Sequence, residues 1–215
     1  MKFQLYPDGT LLDLRYDNYF WLDYVPACYA KKHGLVEEQA KTLILQKYAS
    51  VAGSLSWYCV DYWSKTLLLD IAALKAEISH LIAIHPGIFE FLTKLNGIRK
   101  RRVLLSNAHR SSISIKMEQT GLDGYVERII SAHDLGIPKE HGNFWDQLQT
   151  IEPFDPNHTV LIDDSLSVLH SARSYGIRNI IAITKPDSQK PANLIAEFMA
   201  VTHCQELLKT INIKV

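Results

Sequence analysis

The sequence predicts an α/β fold: a doubly wound parallel sheet with an all-helical unit inserted into it. Three observations predict this. From residue 86 onward, strand-like apolar runs alternate with amphipathic helical runs, the order that builds a parallel sheet. The runs Val103-Leu104-Leu105-Ser106 and Thr159-Val160-Leu161-Ile162 are continuously apolar, as expected of strands covered on both faces. Between residues 17 and 83 the apolar residues recur at helical intervals and no strand alternation is found.

Residues 2–6 form the first predicted strand, which ends at Tyr6-Pro7 and runs into the acidic turn Asp8-Gly9-Thr10. The helical unit therefore enters after strand one. Its first helix carries Tyr19, Phe20, Trp21, Leu22, Val25 and Tyr29 and stops at Gly34. A second spans residues 36–48, with Glu37-Glu38 at its start and Lys47 at its end, in accord with the helix dipole. Ser54-Leu55-Ser56 breaks the pattern with N-cap character. An aromatic stretch follows over residues 57–63, and residues 72–84 return to helix. The style changes at Pro86-Gly87. A helix over 88–95 is stopped by Gly97, and a strand follows over 101–106. Next come a helix over 111–119 stopped by Gly121, a strand over 127–132, and a helix over 140–151 opened by Pro138-Lys139. A strand over 159–162 delivers Asp163-Asp164, a helix over 165–175 closes at Gly176, and residues 177–183 form another buried strand. Alanine-rich and aliphatic periodicity returns over 193–208.

With 215 residues the chain is long enough for one core, or a core plus a small inserted domain. Its formal net charge of zero gives no basis for a nucleic-acid groove or an anionic-membrane surface. No apolar run reaches the length of a membrane span. Asp8 and Asp13 interrupt the first apolar region, against a secretory signal, so the cytoplasm is the expected compartment. Cys28, Cys59 and Cys204 are odd in number, far apart and without a CxxC, which predicts buried thiols in a reducing compartment. Cys28 or Cys59 as a nucleophile is the lesser alternative.

Four short features carry candidate chemistry: Asp8-Gly9-Thr10, Ser106-Asn107, Pro138-Lys139 and Asp163-Asp164. Each alone also reads as something ordinary: a turn, a helix N-cap, a surface lysine, a capping cluster. Their order and their places at strand ends bring all four to the carboxyl edge of a doubly wound sheet. Together they supply what phosphoryl transfer requires. A hydroxyl and amides hold phosphate oxygens, a lysine neutralises charge, and carboxylates hold Mg²⁺. Two adjacent acids after an apolar strand are costly to hold without a cation nearby, which makes a hard divalent metal their natural occupant.

This ordered set resembles the haloacid dehalogenase-like hydrolases over nearly the whole chain. The first motif of that superfamily reads Asp-x-Asp-Gly-Thr. The flanks are similar to a bacterial purine 5′-nucleotidase acting on GMP and IMP: DGTLLDL at 8–14, DNYFW at 17–21, WYCVDYW at 57–63, SNAH at 106–109, TGLD at 120–123, GIPKE at 136–140, IDDS at 162–165 and KPDS at 185–188. The resemblance implies a Rossmann-like core, residues 1–15 plus 85–215, with a helical cap over residues 16–84. It implies Mg²⁺-dependent hydrolysis of a small phosphomonoester, a purine nucleoside monophosphate, through an aspartyl-phosphate. By position, Asp8 is the general acid/base and its backbone carbonyl a metal ligand. Ser106, Asn107 and Lys139 hold the phosphate, with Lys139 also catalytic, and Asp163 and Asp164 hold the metal. Near the expected cap–core junction, Asn18, Trp21 and His109 are candidate substrate contacts. Trp57, Tyr58, Tyr62 and Trp63 either stack on a purine or pack the helices. The remaining histidines form no HxH or HExxH, so no metal is assigned to them.

One position departs from the motif. The family's nucleophile and direct metal ligand is an aspartate, and Tyr6 stands in its place. A phenol with pKa of about 10 is neutral at pH 7 and is a poor Mg²⁺ ligand. Its hydroxyl lies several ångströms farther out than a carboxylate, and misplacement by about 1 Å costs on the order of 100-fold. Pro7 also fixes the adjacent backbone angle and removes an amide. Two readings follow: a phosphatase of the nucleotidase type impaired at its nucleophile, or a non-catalytic relative that binds a phosphate ligand or a partner.

Overall fold

The computed structural model describes residues 2–5 and 8–210. Six parallel strands form one sheet in the order β3-β2-β1-β4-β5-β6: β1 (Lys2–Leu5), β2 (Arg101–Ser106), β3 (Arg128–Ser131), β4 (Thr159–Asp163), β5 (Asn179–Ile183) and β6 (Met199–Val201). β1 is central, pairing Leu5 with Leu104 of β2 on one side and with Ile162 of β4 on the other. The strand order reverses at β1, so the crevice between the β2 and β4 ends is where such a sheet opens for a ligand.

Strand pleating sorts the side chains into two layers. Leu104, Val160, Ile162, Ile181 and Ile183 face one apolar cluster, while Val103, Leu105, Leu161, Ile180 and Ala182 face the other. The second layer is completed by α8 (Phe144–Ile151) and α9 (Leu166–Tyr175), through Phe144, Trp145, Leu148, Val168 and Leu169. The first is completed by α6 (Ile88–Gly97) and α7 (Arg110–Thr120), through Phe91, Leu92, Leu95 and Ile113. The same cluster runs on into α1 (Arg15–Tyr19), a π-helical turn at Phe20–Tyr24, α2 (Val25–His33), α3 (Glu37–Ser50), α4 (Val60–Leu67) and α5 (Ile71–Glu77). Tyr16, Phe20, Ile44 and Trp63 thus share one apolar mass with the sheet face. A last turn, α10 (Leu207–Thr210), packs on α6.

The helices predicted to stop at Gly34, Gly121 and Gly176 do so, each glycine left-handed. Four expectations fail locally. The helix expected over 72–84 ends at Glu77 and continues only as a 3₁₀ turn at Ser79–Leu81. The helix expected from 140 begins at Phe144, because Glu140 is drawn into hydrogen bonds at the sheet edge. Gly97 is the last residue of α6, and the left-handed residue beyond it is Arg99. The apolar periodicity over 193–208 is not one helix: it contains strand β6, a 3₁₀ turn at Cys204–Glu206 and the start of α10. Met199–Val201 is too short to show a period of its own. Among the described residues no helix is long and apolar enough to cross a membrane.

Candidate active site

The loop after β1 is shaped at Gly9. The Gly9 amide donates to the Leu12 carbonyl (2.8 Å), and Gly9 has φ +75°. An added Cβ would lie 2.5 Å from Asp164 Cγ and 2.8 Å from its Oδ1. Only a residue without a side chain lets this backbone approach the Asp164 carboxylate just beyond β4. Asp163 is the last residue of β4 and is fully buried. Its Oδ2 accepts from Lys139 Nζ (2.8 Å) and its Oδ1 from the Ser165 amide (2.8 Å). Lys139, itself 0% exposed, is fixed through its backbone amide, which donates to Asn107 Oδ1 (2.9 Å). Asn107 Nδ2 donates to Glu140 Oε2 (2.8 Å), and the Tyr58 hydroxyl donates to Glu140 Oε1 (3.0 Å). Ser106 is buried at the end of β2, its Oγ accepting from the Ala108 amide (3.0 Å).

All four strand-end features of the sequence therefore meet. The ends of β1, β2 and β4 are neighbours in the sheet, and the loop after β3 brings in Lys139. The Tyr6 position lies outside the described residues.

A second charged network lies beside the first. Lys116, on α7, is buried between Asp8 and Asp17, ion-paired to both, with Asp17 Oδ2 at 2.6 Å. Lys75, on α5, reaches Asp17 Oδ1 (3.2 Å) and sits 4.3 Å from the centroid of the Phe20 ring. Burial works against the charge on Lys116, but Asp17 and Asp8 outweigh it and hold its pKa above the usual lysine value. Burial likewise opposes the Asp17 carboxylate, and Lys116 and Lys75 outweigh it, so Asp17 stays below the usual range. The other carboxyls go the opposite way. Burial raises Asp8 despite Lys116, and raises Asp163 despite Lys139. Asp164 is pushed well up by burial and by the neighbouring charge of Asp163. Burial lowers Lys139 to about 8, with Asp163 opposing the fall.

Between these networks and the helices lies a cavity of about 460 Å³. Asp8, Asn107 and Asp164 line it from the strand ends, and Trp21, Trp57 and Tyr58 from the helices. Asn18 also lines it and donates to Asp187 Oδ2 (2.6 Å), tying α1 to the loop after β5. Trp21 packs edge-on to Tyr48. Trp63 lines the cavity but is 1% exposed and belongs to the apolar core, while Trp57 is 37% exposed. Ser106, Lys139, Asp163 and His109 are not among the lining residues; the first three stand behind the wall. His109 caps α7, its Nδ1 accepting from the Ser111 amide (3.4 Å). Tyr62 packs edge-on against Trp63.

The sequence pointed to the strand-end residues but not to Lys75, Lys116, Asp17 or Glu140 as parts of this edge. Asp17 stood within a quoted flank. Lys75 and Lys116 sit in helical runs without any local signal, and their partners are 58 and 108 residues away.

Residues 8–182 match the family model of haloacid dehalogenase-like hydrolases. The GMP/IMP nucleotidase YrfG of Escherichia coli (strain K12) is 39% identical over 181 residues, covering 84% of this chain and 82% of that protein. Among solved structures, a HAD phosphatase from Thermococcus onnurineus superposes with a TM-score of 0.81 at 22% identity, over 99% of this chain and 98% of that one. The HAD-hydrolase YfnB of Bacillus subtilis, solved bound to magnesium, superposes with a TM-score of 0.64 at 18% identity, over 99% of each chain. At these identities the two structures speak for the fold alone.

Proposed function

The chain belongs to the haloacid dehalogenase-like hydrolases, and on that premise we propose that its site takes a purine nucleoside monophosphate such as GMP or IMP, as a phosphatase of the nucleotidase type. One observation carries the reading. The cavity joins a carboxylate-and-amide wall at the strand ends, Asp8, Asn107 and Asp164, to an aromatic wall on the helices, Trp21, Trp57 and Tyr58. With a divalent cation on its carboxylates the first wall would take a phosphate, and a purine would stack on the second. The 39% identity to a GMP/IMP nucleotidase supports the same substrate class. In this reading residues 16–84 act as a helical cap over a core of residues 1–15 and 85–215.

The residues present fit Mg²⁺. Asp8, Asp163 and Asp164 are oxygen donors, and burial raises all three even though Lys116 pairs with Asp8 and Lys139 with Asp163, so a hard divalent cation would offset charge that the two lysines leave uncompensated. Asp163, Asp164 and the Asp8 backbone carbonyl would hold the ion, which when bound would neutralise phosphate charge. This chain's own groups do the rest. Lys139 holds Asp163 in place and adds positive charge behind the phosphate. Asn107 lines the cavity with its side-chain amide held by Glu140 at Nδ2 and by the Lys139 backbone at Oδ1, and Ser106 shapes the loop that carries it. Asp8, kept protonated more readily by burial, donates to the leaving oxygen and later accepts a proton from water. Lys116 sets how readily it does so. Asn18 and Trp21 meet the nucleoside; His109 follows Ala108, which lines the cavity, but does not itself line it.

Tyr6 favours a second reading. Without an aspartate at that position no aspartyl-phosphate forms, and the pocket binds the nucleotide with little or no turnover. Phosphate release from GMP and IMP with Mg²⁺, measured on this protein and on Tyr6→Asp, separates the two. Low turnover that rises by orders of magnitude in Tyr6→Asp supports the proposal. Strong turnover by the unaltered protein overturns the assessment of Tyr6. No gain in Tyr6→Asp, with saturable GMP binding retained, leaves the binding function. Absence of GMP binding in both proteins overturns the substrate class.

A further inference from the structure

Outside the carboxylate site, one ligand atom each from Cys59, His109 and His133 lies within 4.8 Å of the other two. The three come from separate parts of the fold. Cys59 precedes α4 on the helical segment, His109 follows β2, and His133 sits in the 3₁₀ turn after β3. Their local roles leave donor atoms free to converge. His109 uses Nδ1 to cap α7, accepting from the Ser111 amide (3.4 Å) beside the Ser111 hydroxyl (2.9 Å), which leaves Nε2 directed away from the helix. His133 Nε2 is buried and has no hydrogen-bond partner among the described residues. A buried polar atom left in that state is expensive, and such atoms need an explanation. The two rings meet edge to face, centroids 5.0 Å apart at 83°. Asp61, two residues beyond Cys59, brings Oδ2 to 3.7 Å from His109 Nε2.

We propose that Cys59, His109 and His133 form a second metal site, of zinc class, that ties the helical segment to the edge of the sheet. A thiolate with two imidazoles is a borderline-soft donor set that selects Zn²⁺ over Mg²⁺, and Asp61 or a water completes a tetrahedron. In such a site the ligand atoms lie roughly 3.3–3.8 Å apart, so closure by about 1 Å suffices, within reach of side-chain rotation. The Tyr62 amide already donates to Cys59 Sγ (3.4 Å) and remains to support the thiolate, while the thiol proton is released to solvent on binding. The site is distinct from the carboxylate cluster, whose donors are all oxygen. It is coupled to the cavity through the chain: Tyr58 and Ala108 both line the cavity and directly precede Cys59 and His109. Bound metal would fix those two walls against each other.

The test uses the full chain, stripped with chelator and titrated with Co²⁺ and then Zn²⁺. The expected result is one equivalent of Co²⁺ with intense tetrahedral d–d bands and a thiolate-to-cobalt charge-transfer band, both lost as Zn²⁺ displaces it. Cys59→Ser keeps an N-cap for α4 and should fold, but lose the charge-transfer band and weaken Zn²⁺ on the order of 100-fold. His133→Gln should weaken Zn²⁺ comparably, and it carries the test if the cysteine variant does not fold. His158→Gln, at an exposed histidine paired to Asp155, should change nothing. Zn²⁺ should raise the thermal midpoint of the unaltered protein and not of Cys59→Ser or His133→Gln. The proposal is overturned if no charge-transfer band appears, or if the unaltered protein and both variants bind Zn²⁺ alike.

Discussion

Replacing Gly9 with alanine tests how closely the loop after β1 presses on the Asp164 carboxylate. The glycine has φ +75°, where an L side chain costs roughly 1–2 kcal/mol. The new methyl would start 2.5 Å from Asp164 Cγ. Carbon atoms sit best at about 3.5–4.0 Å, so Asp164 must retreat by about 1 Å or more, at a further cost of roughly 1–3 kcal/mol for overpacking. The sum is about 3 kcal/mol. For a chain of this size that lowers the thermal midpoint by about 6–12 °C. The same displacement pulls one carboxylate out of the set proposed to hold Mg²⁺. The assay is thermal unfolding of Gly9→Ala without Mg²⁺ and across a Mg²⁺ titration. A lower midpoint is expected, with at least about tenfold weaker apparent Mg²⁺ affinity. Placed in a Tyr6→Asp background that turns over, the same change should reduce the rate on the order of 100-fold. A Gly9→Ala protein that melts within a degree of its parent and binds Mg²⁺ equally well would refute the reasoning, because Gly9 would then not be packed against Asp164.

Asp17→Asn removes the acid that Lys75 and Lys116 share, leaving Lys75 buried without its carboxylate, and should destabilise by roughly 3 kcal/mol near neutrality. Because the folded-state pKa of Asp17 is depressed below 3.8, its contribution is present above that value and lost as pH falls through the folded-state pKa. Urea unfolding should therefore show a difference between parent and variant that is constant above about pH 5 and shrinks in acid; a difference that grows in acid would contradict the assignment. Glu152→Gln should cost about 2 kcal/mol in the same measurement. Glu152 is 3% exposed and accepts from Arg101 through both Nε (2.7 Å) and Nη2 (2.8 Å) and from Arg128 Nη1 (3.2 Å), but the two arginines are themselves 40% and 41% exposed, so the loss falls below that of a fully buried pair. A change under about 0.5 kcal/mol would mean that water replaces the pair at no cost.

The chain alone revealed the alternation of strands and helices and the strand-end positions of Asp8, Ser106, Asn107, Asp163 and Asp164. It did so because those signals are local: an apolar run of four or five residues, an acid at its end, a glycine that ends a helix. The same locality explains the misses. Residues 140–143 have helical character, yet Glu140 turns away to brace Asn107 and Tyr58, partners reached only after folding. Met199–Val201 becomes a strand only because β5 is beside it to pair with. That Lys116 bridges Asp8 and Asp17, and that Cys59, His109 and His133 meet, emerges only on folding. A buried lysine or an unpartnered imidazole derives its charge and its chemistry from groups brought in by other elements. Burial and Coulomb interaction depend on distance in space, and separations of 108 residues along the chain carry no trace of them.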